Sequence, residues 1–224
     1  MVRRTATLPA SARRPSRSGG ASAGHLMLRR LLEENRRLTR ELRELTRLRG
    51  LAERDELTGL PNRRSWADRL TEELSRSKRT RGSPGALLIV DMNDLKGIND
   101  RFGHATGDQA LRETARVLRT ALRAPDVCCR TGGDEFMILL PETDAAEARL
   151  VMARLRSAVI RAGARREVPL SISVGAAAWP EDGEDPAVLI DLADRAMYAE
   201  KQLFASRDVE GAAAVRRPAL ALVK

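Results

Sequence analysis

The chain has 224 residues, of which 42% are hydrophobic and 3% aromatic, and its formal net charge is +9. This length allows one compact domain with appendages. The positive charge suits anionic partners such as nucleotides, nucleic acid or lipid headgroups, although an Arg-rich surface that keeps the protein in solution is the more common explanation. The few scattered aromatics provide no stacking platform of the kind that single-strand binders use, so we expect no nucleic-acid partner. No apolar run approaches the roughly 18 residues that span a bilayer, so we also expect no transmembrane segment.

The N-terminal residues 1–24 are rich in Arg, Ser, Ala, Gly and Pro, which predicts a disordered basic tail. They lack the long apolar stretch of a secretory signal, although Arg- and Ser-rich starts also occur in transit peptides. The adjacent Cys128 and Cys129 fit reduced, buried thiols better than a disulfide. Together these features predict a cytoplasmic protein.

Residues 25–54 predict a coiled-coil or signalling helix, because apolar residues recur there at alternating steps of three and four. In heptad terms the a positions are Leu28, Asn35 and Leu42, and the d positions are Leu31, Leu38 and Leu45. A single Asn at an a position favours a parallel two-stranded pairing, which would make the protein a homodimer. The alternative is a lone amphipathic helix that packs on its own domain.

The sequence predicts that residues 55–207 form the folded domain and that residues 208–224 form a loose tail. After the turn-rich segment 55–62, apolar periodicity predicts helices over about 62–76, 108–122, 148–159 and 186–203, and strands over 86–90, 127–130, 136–140 and 170–178. The order from residue 86 is β-α-β-β-α-β with one further helix. This order predicts an α/β protein of the ferredoxin-like kind, an α+β sandwich whose mostly antiparallel sheet carries helices on one side.

Two acidic clusters are predicted at strand ends. Asp91 ends the first buried strand, and Asp134 with Glu135 follows the glycine pair Gly132-Gly133 of the hairpin. In a ferredoxin-like sheet these strands are neighbours, so the carboxylates converge, and Mg²⁺ with its oxygen ligands would relieve their repulsion. The alternative is structural: Asp91 caps a turn, Asp134 occupies a loop, and the glycines form an ordinary hairpin turn rather than a ligand contact.

The segment from Asp91 to Asp108 contains side chains suited to a guanine nucleotide. Asp108 can accept from the adjacent N–H donors of guanine, the amide of Asn99 can pair with either kind of edge, and Lys96 suits a phosphate. His104 is a candidate substrate contact. Asp108 can equally be a helix cap, and a histidine is more often structural than a ligand contact.

Together these residues strongly resemble the GGDEF family of diguanylate cyclases. The signature is Gly132-Gly133-Asp134-Glu135-Phe136, and further matching motifs occur in order from Asp55 to Lys201. These motifs are Asp55-Glu-Leu-Thr-Gly-Leu-Pro-Asn-Arg63, the segment 91–108, Ser171-Ile-Ser-Val-Gly175 and Ala193-Asp-Arg-Ala-Met-Tyr198.

The resemblance implies an enzyme that condenses two GTP molecules into cyclic di-GMP at a dimer interface. It implies Mg²⁺, or Mn²⁺ in its place, held by Asp91, the backbone carbonyl of Met92, and Asp134. Its catalytic residues would be Asp134, Glu135 and Lys96. The substrate would contact Asn99, His104, Asp108, Gly132, Gly133 and Lys201.

The resemblance also implies product inhibition by cyclic di-GMP at Arg123 and Asp126, which have the family's Arg-x-x-Asp spacing before the signature. The alternative is a helix-end arginine followed by a turn. One departure concerns the last helix, where Gln-Leu-Phe-Ala-Ser-Arg207 follows Lys201 instead of an early Gly-Arg-Asn, which puts the affinity for the triphosphate in doubt. Two competing functions are a non-catalytic cyclic di-GMP receptor on the same fold and a basic coiled-coil nucleic-acid binder.

Overall fold

The computed structural model describes residues 19–80, 82–166 and 168–215. The chain divides into two compact units, one ending at Leu51 and the other beginning at Ala52. Within the described ranges, no helix is both long enough and apolar enough to cross a membrane. The segments predicted as tails lie largely outside the described residues, but a helix already begins at Gly19 and the last helix continues to Val215.

Helix α1, Gly19–Ala52, belongs to the first unit except for its last residue. Its apolar side chains Leu28, Leu31, Leu38 and Leu42 are exposed to solvent. The side chain of Leu45 lies outside the described residues. A solvent-exposed apolar stripe along a helix is expected for one helix of a coiled coil when its partner helix is absent.

The second unit contains a four-stranded sheet with helices around it. Its elements are α2 (Arg63–Arg79), β1 (Gly85–Met92), α3 (Leu95–Phe102), α4 (His104–Ala121), β2 (Val127–Gly132), β3 (Glu135–Pro141), α5 (Ala145–Ala164), β4 (Ile172–Trp179) and α6 (Pro186–Val215). The strand order is β2-β3-β1-β4, and every neighbouring pair is antiparallel. This confirms the predicted ferredoxin-like arrangement.

Helices cover both faces of the sheet, so the expectation of helices on one side is wrong. One core packs α4 and α5 against Leu88 and Val90 of β1. The other packs α2 and α6 against Leu87 and Ile89 of the same strand. A continuous apolar run such as Ala86–Val90 is buried on both sides, and each face therefore needs its own cover.

Glycine at position 175 lets α6 lie directly on β4. A Cβ atom at Gly175 would come within 2.0 Å of the Ala193 carbonyl oxygen and 2.2 Å of the Met197 nitrogen. Any side chain there would push the helix away from the strand. The close approach fixes the depth of α6, which carries Lys201 further along.

Candidate active site

The acidic residues of the first strand and of the hairpin meet at one end of the sheet. β1 and β3 pair in a register that places Asp91 opposite Glu135. One residue further on, the Met92 N–H donates to the Asp134 carbonyl oxygen at 3.0 Å. The structure therefore brings Asp91, Met92, Asp134 and Glu135 together, as the sequence predicts.

This end of the sheet carries concentrated negative charge. The Asp91 side chain is only 6% exposed. Burial, and then the nearby charge of Asp134, raise the pKa of Asp91 above its usual value, although Lys201 acts in the opposite direction. Burial together with Asp91, Asp134 and Asp194 also raises the pKa of Glu135. These carboxylates repel one another and favour a positive group among them.

Lys201 provides a positive group of this kind. Its Nζ lies 2.7 Å from Oδ1 of Asp91, an oxygen that accepts no further hydrogen bond from the described residues. Partial burial alone would lower the pKa of Lys201, but the bond to Asp91 and the charges of Asp134 and Glu135 raise it. The two pKa values rise for different reasons: burial is the largest cause for Asp91, whereas the neighbouring carboxylates raise the pKa of Lys201.

The donor set of this cluster fits a hard divalent cation. Carboxylate and backbone carbonyl oxygens are the ligands that Mg²⁺ prefers, and it usually completes its shell with water and substrate phosphates. Among residues 19–80, 82–166 and 168–215, no group of three or more His, Cys, Asp or Glu side chains has metal-binding geometry.

A small buried polar network fixes the end of β1 and was not predicted from the sequence. The side chain of Asn93 accepts from the Ser173 hydroxyl at 2.8 Å and donates to the Ser171 hydroxyl at 3.2 Å. Its backbone N–H donates to the Ser171 carbonyl at 3.0 Å. Because Ser173 lies opposite Asp91 in the β1–β4 register, the network holds the cluster's backbone in place.

The short helix α3 and the longer helix α4 follow the end of β1 and carry the predicted guanine contacts. Asn99 lies on α3 and is half-buried, whereas Asp108 lies on α4 and is exposed. A Cβ atom on Gly107 would come 1.8 Å from Oδ1 of Asn99. Because Gly107 has no side chain, the Asn99 amide can lie against it, one residue before Asp108.

The other predicted contacts lie at the starts of these two helices. Lys96 is in the first turn of α3, and His104 is the first residue of α4; both side chains are exposed. Neither is drawn into the carboxylate cluster by a described contact. The sequence did not predict α3 as a helix, and its N-cap is Asp94, which has a positive φ of 53° and accepts from the Gly97 N–H at 3.1 Å.

The glycine turn of the hairpin has free space on one side, and Arg130 hydrogen-bonds to its backbone. Gly133 has a φ of 51°, and a Cβ atom there would meet no atom within 4 Å. Arg130 donates to the Gly133 carbonyl at 2.6 and 3.0 Å and to both carboxylate oxygens of Asp55 at 3.0 and 3.1 Å. Asp55 also accepts from the backbone N–H and hydroxyl of Thr58.

Arg123 and Asp126 lie next to each other at the turn before β2. The Asp126 carboxylate accepts from the Arg123 backbone N–H at 2.8 Å, and Nε of Arg123 lies 3.6 Å from it. The guanidinium of Arg123 also donates to the Thr143 hydroxyl at 2.7 Å. The Asp126 side chain has no exposed surface, and its Oδ1 has no hydrogen-bond partner in the described part of the chain.

Comparison with known proteins extends these observations. The response regulator PleD of Caulobacter vibrioides is 38% identical over 156 residues, which cover 67% of this chain and 34% of PleD. The structure of the diguanylate cyclase SiaD from Pseudomonas aeruginosa, in complex with its activator SiaC, matches with a TM-score of 0.64 and 36% identity. That match covers 81% of this chain and 72% of SiaD.

The coiled coil and GGDEF domain of DgcB from Caulobacter crescentus, in complex with c-di-GMP, matches with a TM-score of 0.66 and 26% identity, covering 79% of this chain and 94% of that one. The matched region of this chain spans about a third of the length of PleD. The family described as "Diguanylate cyclase, GGDEF domain" matches residues 52–207, most of the chain. The chain therefore belongs to the GGDEF family of diguanylate cyclase domains.

Proposed function

We propose that this chain is a diguanylate cyclase, which condenses two GTP molecules into cyclic di-GMP and releases two pyrophosphates. The observation that carries the proposal is the meeting of Asp91 and Asp134 at one sheet end, with Lys201 against Asp91. A cluster of this charge suits the phosphates of a nucleotide only when a cation accompanies them. The GGDEF membership supplies the reaction class.

Asp91, the Met92 carbonyl and Asp134 would hold Mg²⁺, or Mn²⁺ in its place. When bound, the cation would neutralise charge on these carboxylates and on the triphosphate. Lys96 and Lys201 would contact the phosphates, and Lys201 reaches them by rotating its half-exposed side chain away from Asp91. Both lysines are point charges of the kind that binds phosphate oxygens.

The base would be read between α3 and α4. Asn99, seated against Gly107, and Asp108 would bind the hydrogen-bonding edge of guanine, while His104 at the start of α4 would contact the substrate from the side. Gly132 and Gly133 present backbone without side chains, so a nucleotide can lie against the hairpin. Asn99, His104 and Asp108 lie on the two helices that come after β1, and the two glycines lie in the hairpin.

In the reaction the 3′-hydroxyl oxygen of each GTP attacks the α-phosphorus of the other. A new P–O bond forms, the bond to the β-phosphate oxygen breaks, and pyrophosphate leaves. A base near Asp134 would take the hydroxyl proton, and Glu135 lies there; burial and the charges of Asp91 and Asp134 raise the pKa of Glu135. Most of the acceleration would come from positioning and charge neutralisation.

Because each subunit would hold one GTP, the reaction requires a homodimer. Residues 25–54 would form the stalk and residues 55–207 the catalytic domain. The exposed leucines of α1 support pairing along the stalk, and the match to a structure of a coiled coil with a GGDEF domain supports the same architecture. Its substrate GTP makes the cytoplasm the expected location.

Arg123 and Asp126 would form a product-inhibition site. In the present conformation Asp126 is covered, so Arg123 would swing outward to grip a phosphate of cyclic di-GMP and uncover the carboxylate for the guanine edge. Replacement of Arg123 by Ala should raise the amount of product accumulated before turnover stops. Unchanged sensitivity to added cyclic di-GMP in that variant would count against the site.

The direct test is to incubate the full chain with GTP and Mg²⁺ and to separate the nucleotides by chromatography. We expect cyclic di-GMP and pyrophosphate to appear in a ratio of one to two. A receptor on the same fold would bind cyclic di-GMP without converting GTP. A nucleic-acid binder would show no turnover and a DNA affinity that falls steeply with salt.

A further inference from the structure

An ion pair crosses the open edge of the sheet. β4 is an edge strand, with α5 packed on one face of the sheet and α6 on the other. Arg156 of α5 donates from Nε to the Glu200 carboxylate of α6 at 2.6 Å, and its terminal nitrogen contacts the second carboxylate oxygen. The pair thus links helices that belong to different cores.

The same pair satisfies the outward-facing backbone of β4. A terminal nitrogen of Arg156 donates to the Val174 carbonyl at 3.2 Å, and the Val174 N–H donates to the Glu200 carboxylate at 3.3 Å. An unpaired strand edge normally leaves such groups to water or to another strand. Here the position of Glu200 along β4 is therefore fixed by hydrogen bonds to the strand itself.

This fixed point lies beside the carboxylate cluster. Val174 pairs with Val90, the residue before Asp91, and Glu200 immediately precedes Lys201, whose Nζ contacts Asp91. Lysine has a long flexible side chain, and its useful reach depends on where its Cα atom is held. The Arg156–Glu200 pair holds that Cα at the strand position next to the cluster.

We propose that Glu200, held by Arg156, is a positioning residue that sets the reach of Lys201 toward the nucleotide phosphates. This inference rests on the proposed function and assigns roles to two residues beyond the catalytic and binding set. The side chains of Arg156 and Glu200 are each 30% exposed. A pair with this much contact to water adds modestly to stability, whereas its geometry bears directly on Lys201.

A double-mutant cycle tests the inference. GTP dissociation constants, kcat/KM and unfolding midpoints are measured for the native chain, Glu200→Ala, Lys201→Ala and the double variant. If Glu200 acts through Lys201, Glu200→Ala weakens GTP binding and lowers kcat/KM about tenfold in the native background, but less than about twofold when Lys201 is already Ala. Its effect on the midpoint should be the same in both backgrounds.

Two further variants sharpen the result. Glu200→Gln keeps the side-chain length and one acceptor, so it should recover part of the lost affinity. Arg195→Ala removes the exposed Arg195–Asp191 pair of the same helix and should change neither binding nor turnover. An equal loss from Glu200→Ala in both backgrounds, or no loss in either, would overturn the positioning role while leaving the proposed activity intact. A native chain that neither binds nor converts GTP would remove both proposals.

Discussion

The carboxylate of Asp91 and the ammonium of Lys201 lie 2.7 Å apart, although one ends the first strand and the other is carried by the last helix. The contact joins the two ends of the domain at the point where Asp134 and Glu135 add further negative charge. One lysine compensates this charge only in part. A bound cation with its nucleotide would reduce the repulsion that remains among these carboxylates.

The first prediction concerns the stability of the cation-free protein. Because the pKa of Asp91 is raised in the folded protein, folding favours the protonated carboxyl over the ionised one. The free energy of unfolding that this preference provides is therefore complete below pH 3.8 and is lost as pH rises through the raised pKa. At pH 7 the ionised group is therefore a net cost. Replacement of Asp91 by Asn should abolish activity yet stabilise the cation-free chain by about 1 kcal/mol in urea unfolding.

The stabilisation should shrink as pH falls, because native Asp91 then becomes neutral as well. Addition of Mg²⁺ and GTP should raise the unfolding midpoint of the native protein and leave that of the Asn variant unchanged. A less stable Asn variant at neutral pH would show that Lys201 neutralises the cluster fully, contrary to this account.

The second prediction concerns the support behind the hairpin. Replacement of Arg130 by Ala removes its hydrogen bonds to Gly133 and Asp55, and since this arginine is mostly buried, we expect a loss of about 2 kcal/mol in urea unfolding at pH 7. The hairpin would also become mobile, so turnover should fall. Replacement of Arg69 by Ala, which breaks an exposed pair with Glu72, should change neither.

The effect of Arg130 should depend on pH in a defined window. Burial acts to raise the pKa of Asp55, but its hydrogen bonds with Thr58 and Arg130 lower it below 3.8 overall. The stability from this interaction is thus complete above pH 3.8 and is lost as pH falls through the lower folded value. The difference between native and Ala variants should stay constant from pH 7 to 5; a decline within that range would argue against the Asp55 contact as its cause.

The sequence predicts those residues of the site that belong to local motifs, but not the contacts between residues that are far apart in the chain. Asp91, Asp134 and Glu135 are recognisable because each follows a strand or glycine-turn pattern, and the strand order brings them together. Arg130 stands two residues before the glycine pair, but its partner Asp55 is 75 positions away, and no local pattern identifies such a partner. The contact between Lys201 and Asp91 likewise depends on how deeply α6 sits on β4.

The fold shows a similar limit in α6. Its sequence contains two adjacent apolar stripes, and helical periodicity alone also allows Leu189, Leu192, Ala196 and Ala199 to share the buried face. The structure buries Leu189, Ala193 and Met197 instead and leaves Leu192 exposed. Helical periodicity does not decide between the two stripes, whereas the structure packs the backbone of Ala193 and Met197 against Gly175.

The third prediction concerns guanine recognition. Replacement of Gly107 by Ala introduces a Cβ atom at the position of the Asn99 amide, which must rotate away. Because the residue is helical, the fold should tolerate Ala within about 1 kcal/mol. The affinity for GTP, measured calorimetrically, should fall about tenfold through loss of a hydrogen bond.

The matched control is the same change in an Asn99→Ala background. There the amide is already gone, so Gly107→Ala should have almost no further effect on GTP affinity. An equal loss in both backgrounds would mean that Gly107 acts on the helix pair rather than on Asn99.

The fourth prediction concerns the stalk. Replacement of Leu31 and Leu38 by Gln places polar groups in the apolar seam, which should dissociate the dimer and abolish turnover together. Sedimentation and activity should be followed over the same range of protein concentration. Arg40→Gln, at an f position of the same helix, should preserve both properties. Active monomers would show that the stalk is not what brings the two nucleotides together.

The most direct measurement of the central claim is the anomalous scattering of crystals grown with Mn²⁺ and a GTP analogue that cannot react. We expect a peak bounded by the carboxylates of Asp91 and Asp134 and the carbonyl of Met92, with the analogue's phosphates against it. A nucleotide bound without a cation at these oxygens, or a cation bound elsewhere on the domain, would contradict it.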